Sequence, residues 1–239
     1  IDRVELSCPS CDGVMTRVPE LADVWFDSGA MPYAQWHYPF ENAEMIDEGK
    51  AFPADYIVEG IDQTRGWFYT LLAVSTLLGR PAPYKHVIAL GHVMDAKGKK
   101  LSKSLGNYTP PMELLEKYGA DALRWYIFAV NQPGDSILFD EREVVMRKRS
   151  SLDLLMNSLV FWKTASTSKA KESTNALDTW VLARLSVVVE NMTKALDGYE
   201  ITRAIRELEF FISEDVSRWY IRRSRDRMKD GEHAVLREV

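Results

Sequence analysis

Two lysines three positions apart, Lys100 and Lys103, lie among small polar residues in the string Lys-Leu-Ser-Lys-Ser, residues 100–104, which we call the lysine loop. An ammonium group is a movable point charge that binds phosphate, and serine lets the backbone approach a ligand closely. Phosphoryl and nucleotidyl transfer need such charge, because negative charge on the oxygens must be stabilised where it develops. Solvated lysines in a surface turn have the same composition, so these five residues alone leave both interpretations open.

The elements upstream of the lysine loop predict how it is positioned. Residues 54–59 predict a buried strand, residues 67–78 a helix and residues 86–90 a second apolar strand. Apolar strands joined by a helix are typical of a parallel α/β sheet, in which ligands bind beyond the carboxyl ends of the strands. Residues 59–63 and 91–94 follow two such ends. We therefore expect a nucleotide triphosphate to lie across the strand ends, between residues 59–63 and the lysine loop.

Residues 59–63, which we call the acidic turn, contain Glu59, Asp62 and Gln63, and Gly60 allows close approach. Carboxylates at the end of a strand suit the hydroxyl groups of a ribose. The alternative is structural, with Asp62 as a helix N-cap, Glu59 as a charge at the strand end and Arg65 as a partner for one of the acids. Both interpretations stay open.

Trp25 and Trp67 are large apolar side chains in segments that otherwise predict a turn and the start of a helix. Aromatic residues are usually part of the core. The walls of an apolar pocket for a small aliphatic ligand would use the same residues, and the sequence does not separate the two interpretations.

Cys8 and Cys11 have the spacing of a zinc knuckle, in which two thiolates point at one ion. A structural zinc site needs about four ligands, no other cysteine is present, and His37 lies in an aromatic segment. The pair is therefore half a site completed by other sequence, or a plain turn. Two cysteines give no disulfide framework, which fits a reducing cytoplasm.

The second half of the chain predicts helices. Residues 143–165, 177–196 and 202–228 have apolar residues at helical spacing, and residues 169–175 predict a polar connection. Shorter helices are predicted before them at residues 112–118 and 120–130, while the stretch up to residue 42 predicts short strands and loops. The predicted fold class is therefore α/β followed by an all-α helical bundle. The predicted regions are 1–42, 43–140 and 141–239.

The last predicted helix is rich in arginine around Trp219 and Tyr220. Its arginines are Arg203, Arg206, Arg218, Arg222, Arg223, Arg225 and Arg227. Clustered arginine with aromatic residues suits phosphate contact and base stacking, especially on RNA. A solvated helix face paired with nearby acids such as Glu207 and Glu214 is the alternative.

Composition limits the classes of protein further. The chain has 239 residues, of which 46% are hydrophobic and 27% charged, so a packed core is expected. The net charge of -5 means that any nucleic-acid contact must come from a local patch. No apolar run approaches the roughly 20 residues that span a bilayer. The first residues have the character of neither a signal peptide nor an initiator segment, so we expect a piece of a longer protein.

Several strings together resemble the isoleucyl-tRNA synthetases, which are class I aminoacyl-tRNA synthetases. They are Asp-Val-Trp-Phe-Asp-Ser-Gly at 23–29, the stretch 59–68, the lysine loop with Leu-Gly-Asn after it, Gly-Ala-Asp-Ala-Leu-Arg at 119–124 and Trp-Tyr-Ile-Arg-Arg-Ser-Arg at 219–225. Valyl and leucyl relatives share the architecture. The residues of the string at 23–29 and of Asp-Gln-Thr-Arg-Gly-Trp-Phe at 62–68, however, resemble those of the isoleucyl enzymes. The resemblance implies the second half of a Rossmann-like catalytic domain, then part of an anticodon-binding domain.

The resemblance also implies roles for single residues. Lys100 and Lys103 match the lysines that stabilise the ATP phosphates while the adenylate forms, and Leu101 stands where the family motif has Met. The other implied roles are the ATP or adenylate site for Glu59, Gly60, Asp62, Gln63 and Val93, the amino-acid pocket for Trp25 and Trp67, tRNA contact for Arg222, Arg223 and Arg225, and half of a zinc knuckle for Cys8 and Cys11.

Some parts of the family pattern are absent from this sequence. It contains no string like the family's His-Ile-Gly-His motif, and we expect the editing insertion upstream of residue 1 and the rest of the anticodon-binding region beyond Val239. The implied cofactors are ATP and Mg²⁺, with Zn²⁺ as a further candidate in a longer protein. The implied partners are isoleucine, tRNA(Ile) and the missing N-terminal half of the same polypeptide. The alternatives are a valyl or leucyl enzyme, or a non-catalytic tRNA-binding module.

Overall fold

A computed structural model describes residues 3–20, 23–102, 104–166, 173 and 175–239. The chain divides into two compact units, Ile1–Ala89 and Leu90–Val239. Strands and helices occur in the first unit and in the beginning of the second, and the rest of the second unit is helical. The predicted fold class, α/β followed by a helical bundle, is confirmed.

The first unit begins with a hairpin of β1 (Glu5–Ser7) and β2 (Val14–Thr16), which pair antiparallel with Glu5 opposite Thr16. The next element is a helix, α1 (Val24–Ala34), where the sequence predicted only short strands and loops. That prediction was wrong. Pro32 and the aromatic residues are not typical of a helix, so the sequence does not predict one here. Close packing against a later helix accounts for its stability.

The contact between α1 and α3 (Trp67–Leu77) depends on Gly29. A Cβ atom at Gly29 would lie 2.6 Å from the carbonyl oxygen of Thr70, so the two helix backbones nearly touch. Between these helices the chain forms the short α2 (Glu44–Asp47), and Tyr33 of α1 is hydrogen-bonded to Ser75 of α3 at 2.7 Å. This packing holds both predicted pocket tryptophans, one on each helix.

Strands β3 (Ala54–Gly60) and β4 (Tyr84–Leu90) form a two-stranded sheet with α3 between them in the chain. The Ala54 N–H donates to the Pro83 carbonyl and Lys85 pairs with Asp55, so the strands begin side by side and run in the same direction. The strand predicted at 54–59 is confirmed, but its predicted burial was wrong, because Tyr56 and Val58 are exposed. Among the described residues, the cluster that contains Ile57 and Phe68 covers one face of this small sheet.

In the second unit, β5 (Val93–Asp95) pairs in parallel with β6 (Ile137–Phe139), with α4 (Pro111–Tyr118) and α5 (Ala120–Val130) between them in the chain. The two helices agree with the sequence prediction to within one residue. Strand β6 was not predicted, because three residues are too few to show the alternation of a strand.

The helical part contains α6 (Glu141–Ser150), α7 (Leu152–Ala165), α8 (Ala176–Asp197) and α9 (Ile201–Phe210). A π-helical segment (Phe211–Ile221) continues α9 into α10 (Arg222–Lys229), and α11 (Ala234–Glu238) follows. The helix predicted at 143–165 is thus divided at Ser151, whereas the one predicted at 202–228 is continuous through the π-helical segment. The predicted connection 169–175 lies outside the described residues except at 173 and 175. Among the described residues, no helix combines the length and the apolar character needed to cross a bilayer.

Candidate active site

The acidic turn lies between the end of β3 and the start of α3, as a 3₁₀ turn (Ile61–Arg65). The Oε1 atom of Gln63 accepts the backbone N–H of Trp67 at 2.8 Å, and its Nε2 donates to Asp62 at 3.3 Å. Gln63, and not Asp62, therefore satisfies the first amide of α3. The predicted capping role of Asp62 was wrong, and its exposed carboxylate is left for another partner.

Gly60 allows the acidic turn to fold back on itself. A Cβ atom there would lie 2.6 Å from Oδ1 of Asp62, so any side chain would displace the carboxylate. Glu59 is exposed, and Arg65 forms no ion pair with Glu59 or Asp62, although all three residues are described. The two carboxylates are therefore accessible from solvent.

Trp25 and Trp67 lie close to the same turn. A Cβ atom at Gly66 would be 2.4 Å from Oε1 of Gln63 and 3.3 Å from the Trp25 ring, which places that ring against the backbone of Gly66. The indole N–H of Trp67 donates to the Ser28 carbonyl at 3.2 Å. Trp67 packs on the core cluster, whereas Trp25 is 43% exposed. The structure brings the two tryptophans and Gln63 together in one unit.

The lysine loop lies in the second unit, after β5 and a tight turn. The Asp95 carboxylate accepts the backbone N–H groups of Lys97 at 2.9 Å and Lys99 at 2.8 Å, and Gly98 has a φ of 77°. The Lys100 side chain is exposed, and among the described residues it forms no ion pair. Lys103 lies outside the described residues.

Asn107 holds the lysine loop to the same turn. Its Nδ2 donates to Oδ2 of Asp95 at 2.9 Å and to the Lys100 carbonyl at 3.1 Å, and its Oδ1 accepts the Ser102 N–H at 2.9 Å. Hydrogen bonds from the Lys99 backbone and the Asn107 amide hold the pKa of Asp95 below its ordinary value. Neither Asp95 nor Asn107 was predicted as a site residue. The available signal was an Asp three residues before a glycine, a turn sequence in which the Asp side chain often accepts the backbone N–H two residues on.

The predicted site residues fall into two groups. The first unit contains Trp25, Glu59, Gly60, Asp62, Gln63 and Trp67, and the second unit contains Val93 and Lys100. Val93, predicted to meet adenine through its backbone, is the first residue of β5 and is 45% exposed.

The arginines of the helical part divide into those bonded within the protein and those that are not. Each of the first kind has a protein acceptor: Arg203 bonds Glu200, Arg206 bonds the Ala129 carbonyl, Arg218 bonds Glu214 and Arg227 bonds Asp178. The predicted alternative, a solvated face paired with nearby acids of the same helix, is confirmed only for Arg218, because the other three bond to groups that it did not name.

Arg222, Arg223 and Arg225 form no ion pair among the residues that the structure describes. The guanidinium of Arg223 lies 3.7 Å from the ring centroid of Trp219, which is 43% exposed, and that of Arg225 lies 5.7 Å from the ring of Phe161. These three residues are the ones predicted to contact tRNA.

Cys8 and Cys11 lie on the turn of the β1–β2 hairpin, and both are free thiols. The backbone N–H of Ser10 and the neighbouring Cys11 lower the pKa of the Cys8 thiol. Over the described part of the chain, no group of three or more His, Cys, Asp or Glu side chains could hold a metal ion. The half zinc site stays a prediction.

Two known families match the chain. Residues 4–140 match the tRNA synthetases class I (I, L, M and V), and residues 178–239 match the anticodon-binding domain of tRNA ligase. An isoleucine–tRNA ligase of Bacillus thuringiensis is 48% identical over 239 residues, which cover 95% of this chain and 22% of the relative. The isoleucine–tRNA ligase of Clostridium novyi is 44% identical over 235 residues, with the same two coverages. The chain thus spans less than a quarter of the length of these curated relatives.

Solved structures show the same fold at lower sequence identity. The Mycobacterium tuberculosis methionyl-tRNA synthetase bound by methionyl-adenylate has a TM-score of 0.73 and 19% identity, over 92% of this chain and 47% of that one. The Agrobacterium radiobacter leucyl enzyme, in a ternary complex with tRNA and LeuAMS, has a TM-score of 0.66 and 22% identity, over 97% of this chain and 30% of that one. With the match of residues 4–140, which is more than half of the sequence, the chain belongs to the class I tRNA synthetases.

Proposed function

We propose that this chain works as part of an isoleucine–tRNA ligase of the length of its curated relatives. That enzyme joins isoleucine to ATP, giving isoleucyl-adenylate and pyrophosphate, and passes the isoleucyl group to tRNA(Ile). The observation that carries the proposal is the alignment of 95% of the chain with isoleucine–tRNA ligases, in a chain whose lysine loop presents an exposed Lys100.

The residues of the chain suit the first step. The isoleucine carboxylate attacks the α-phosphorus, the bond to the β-phosphate oxygen breaks, and pyrophosphate leaves. Lys100 and Lys103 stabilise the charge on the phosphates, and catalysis is positioning plus charge stabilisation, with no covalent enzyme intermediate. Mg²⁺ that accompanies ATP would neutralise part of the same charge.

The remaining predicted residues bind the reactants. Glu59, Gly60, Asp62 and Gln63 line the adenylate site and the backbone at Val93 meets adenine, while Trp25 and Trp67 form the walls of the isoleucine pocket. The accessible carboxylates of the acidic turn support the first role, and the exposed ring of Trp25 beside Gly66 supports the pocket.

The missing first half of the catalytic domain is the proposed partner of the small β3–β4 sheet. Tyr56, Val58 and Val87 are exposed on its strands, with exposed fractions of 51%, 38% and 44%. Exposed apolar strand residues of this kind mark a surface that another segment covers. The regions 43–140 and 141–239 remain our proposed catalytic and anticodon-binding parts. We place the enzyme in the cytoplasm, and the two thiols of Cys8 and Cys11 supply at most half of a zinc site.

Isoleucine-dependent ATP–pyrophosphate exchange tests the proposal. The full-length enzyme should exchange with isoleucine in preference to valine or leucine, and the purified 239-residue chain should not exchange at a useful rate. In the full-length enzyme Lys103→Ala should lower kcat about 100-fold, the effect of removing one group that stabilises a developing negative charge.

The matched control for Lys103→Ala is Lys163→Ala, which removes the same charge from an exposed position on α7. Exchange with valine or leucine in preference to isoleucine would identify a sister enzyme. Exchange by the isolated chain that Lys103→Ala abolishes would contradict the need for the missing half.

A second candidate is a non-catalytic tRNA-binding module, favoured by Arg222, Arg223 and Arg225, which form no ion pair with any described residue. Replacing all three by Gln in the full-length protein should weaken tRNA binding and flatten its salt dependence. Such an effect together with no ATP binding would favour the module, and the same effect with normal exchange activity would favour the ligase.

A further inference from the structure

The chain segments just before and just after the lysine loop lie close together, and two side chains join them. Asp95, at the end of β5, binds the backbone N–H groups of Lys97 and Lys99 before the loop. Asn107, after the loop, binds the Lys100 carbonyl and the Ser102 N–H within it. A bond of 2.9 Å joins the two side chains, so the chain before the loop and the chain after it are fixed to each other.

The donors and acceptors of this pair are fully matched. Asn107 uses both N–H groups of its amide as donors and its carbonyl oxygen as an acceptor. Asp95 accepts three hydrogen bonds, two from the backbone and one from Asn107. A carboxylate in a phosphate-binding segment would repel phosphate unless N–H donors surrounded it, so its presence here needs a structural reason.

The backbone contacts that Asn107 makes within the loop lie on the two sides of Leu101, directly after the first loop lysine. Lys100 is bonded at its carbonyl and Ser102 at its N–H, which fixes the peptide groups on either side of Leu101. A backbone bridge between Met94 and Lys100 adds to this. The Lys100 ammonium itself has no ion pair among the described residues, so its backbone is fixed while its charge stays available.

We propose that Asp95 and Asn107 are positioning residues, which hold the backbone around Lys100 so that its ammonium group meets the phosphates as the adenylate forms. The inference rests on the proposed function and deepens it. A group held about 1 Å from its working position can lose on the order of 100-fold in rate. The pair should therefore affect adenylate formation more than the later transfer to tRNA, which involves no pyrophosphate.

Exchanging the two side chains tests the inference, because it separates their hydrogen-bond pattern from their mere presence. Asn107→Asp places a carboxylate oxygen against Asp95, and Asp95→Asn places an amide N–H against the amide N–H of Asn107. The double variant Asp95→Asn with Asn107→Asp restores a donor facing an acceptor and keeps an acceptor for the Ser102 N–H. It loses the bond to the Lys100 carbonyl and places a carboxylate oxygen against that carbonyl, a defect that Asn107→Asp shares, so the comparison of these two variants isolates the bond between residues 95 and 107.

In the full-length enzyme each single variant should lower kcat for isoleucine-dependent ATP–pyrophosphate exchange by about 10- to 100-fold. The double variant should recover about tenfold over Asn107→Asp, as expected for directly coupled residues. Single-turnover transfer to tRNA from supplied isoleucyl-adenylate should stay within about twofold of wild type, whereas general misfolding would lower both rates together. The control is Asp121→Asn, which makes the same charge change at a side chain that is 85% exposed.

Three results would overturn the inference: wild-type exchange rates in both single variants, a double variant no better than Asn107→Asp, or a transfer rate that falls in step with exchange. A wild-type enzyme that gives no isoleucine-dependent exchange would instead overturn the proposed function. In that case, faster hydrogen exchange of the Ser102 amide in both single variants would show separately that the pair holds the loop.

Discussion

The acidic turn is shaped by close packing against glycine, whereas the lysine loop is shaped by hydrogen bonds to two polar side chains. At the acidic turn, Gly60 and Gly66 leave room for Asp62, Gln63 and the Trp25 ring at distances that no other residue would allow. At the lysine loop, the nearby Gly106 has open space where a Cβ atom would be. Its order comes from the bonds of Asp95 and Asn107.

This difference has consequences for how each region can move. A backbone contact that excludes a methyl group cannot be relaxed in small steps, because protein interiors are close-packed. Hydrogen bonds near the surface are exchanged for bonds to water at a net cost of about 0.5–1.5 kcal/mol each. The packing of α1 on α3 at Gly29 is therefore rigid, whereas the hydrogen bonds that hold the lysine loop can be replaced by bonds to water.

The largest effect is expected where the rigid part is built, at the contact between α1 and α3. Gly29→Val should lower the free energy of unfolding by about 3 kcal/mol, the upper end of the range for overpacking. The reason is that the added Cβ would lie 2.6 Å from the Thr70 carbonyl oxygen, which is backbone and cannot move aside. Denaturant unfolding measures the change.

The control for this experiment is Ala34→Val, a substitution at an exposed position of the same helix. It should change stability by only a few tenths of a kcal/mol, as surface substitutions usually do. Equal losses in the two variants would show that the contact of α1 with α3 accommodates the added side chain, since replacing glycine by valine does not itself lower helix propensity.

A smaller effect is expected at Gly66, where the added group meets side chains. Gly66→Ala should cost about 2 kcal/mol, because the new Cβ displaces Oε1 of Gln63, which accepts the first amide of α3, and presses on Trp25. In the full-length enzyme the KM for isoleucine should rise while the KM for ATP changes less, since Trp25 and Trp67 are the proposed pocket walls. An unchanged KM for isoleucine together with normal stability would show that Trp25 is not part of the isoleucine pocket.

The sequence predicted those parts whose signal is local. Helix α3 is a continuous apolar run and α5 begins directly after Gly119, so both were found to within a residue. Helix α1 was missed because Pro32 and Gly29 argue against a helix locally, while its packing partner Thr70 is far along the chain. The predicted burial of β3 was wrong, because an apolar strand indicates that a face can be covered but does not show which segment covers it.

The site was predictable in its charged residues and not in the groups that hold them. Lys100 and the acidic turn follow from residue type and spacing, but the bond between Asp95 and Asn107 spans the whole lysine loop. The arginines also show that local pairs can be predicted from the sequence and long-range pairs cannot. The pairing of Arg218 with Glu214, one helical turn away, was foreseeable, whereas Arg227 is taken by Asp178, on a different helix.

The smallest expected effect concerns Glu141, which ties the chain after the lysine loop to the start of α6. Its carboxylate accepts hydrogen bonds from Thr109 at 2.7 Å, Tyr118 at 2.7 Å and Lys117 at 2.8 Å, and these, Lys117 first, lower its pKa to about 2. Because the folded pKa lies below the unfolded value, the stabilisation is present above about pH 4.3 and is lost as the pH falls toward 2. Glu141→Gln should therefore lower the free energy of unfolding by about 1 kcal/mol at pH 6, where solvent screens the pair with Lys117, and by less at pH 3. If the difference in unfolding free energy between the wild type and Glu141→Gln stayed constant between pH 6 and pH 3, the contacts of Glu141 would depend on its shape and not on its charge. The polar contacts near the lysine loop would then act as the packing at the acidic turn does, and the contrast between the two regions would be smaller.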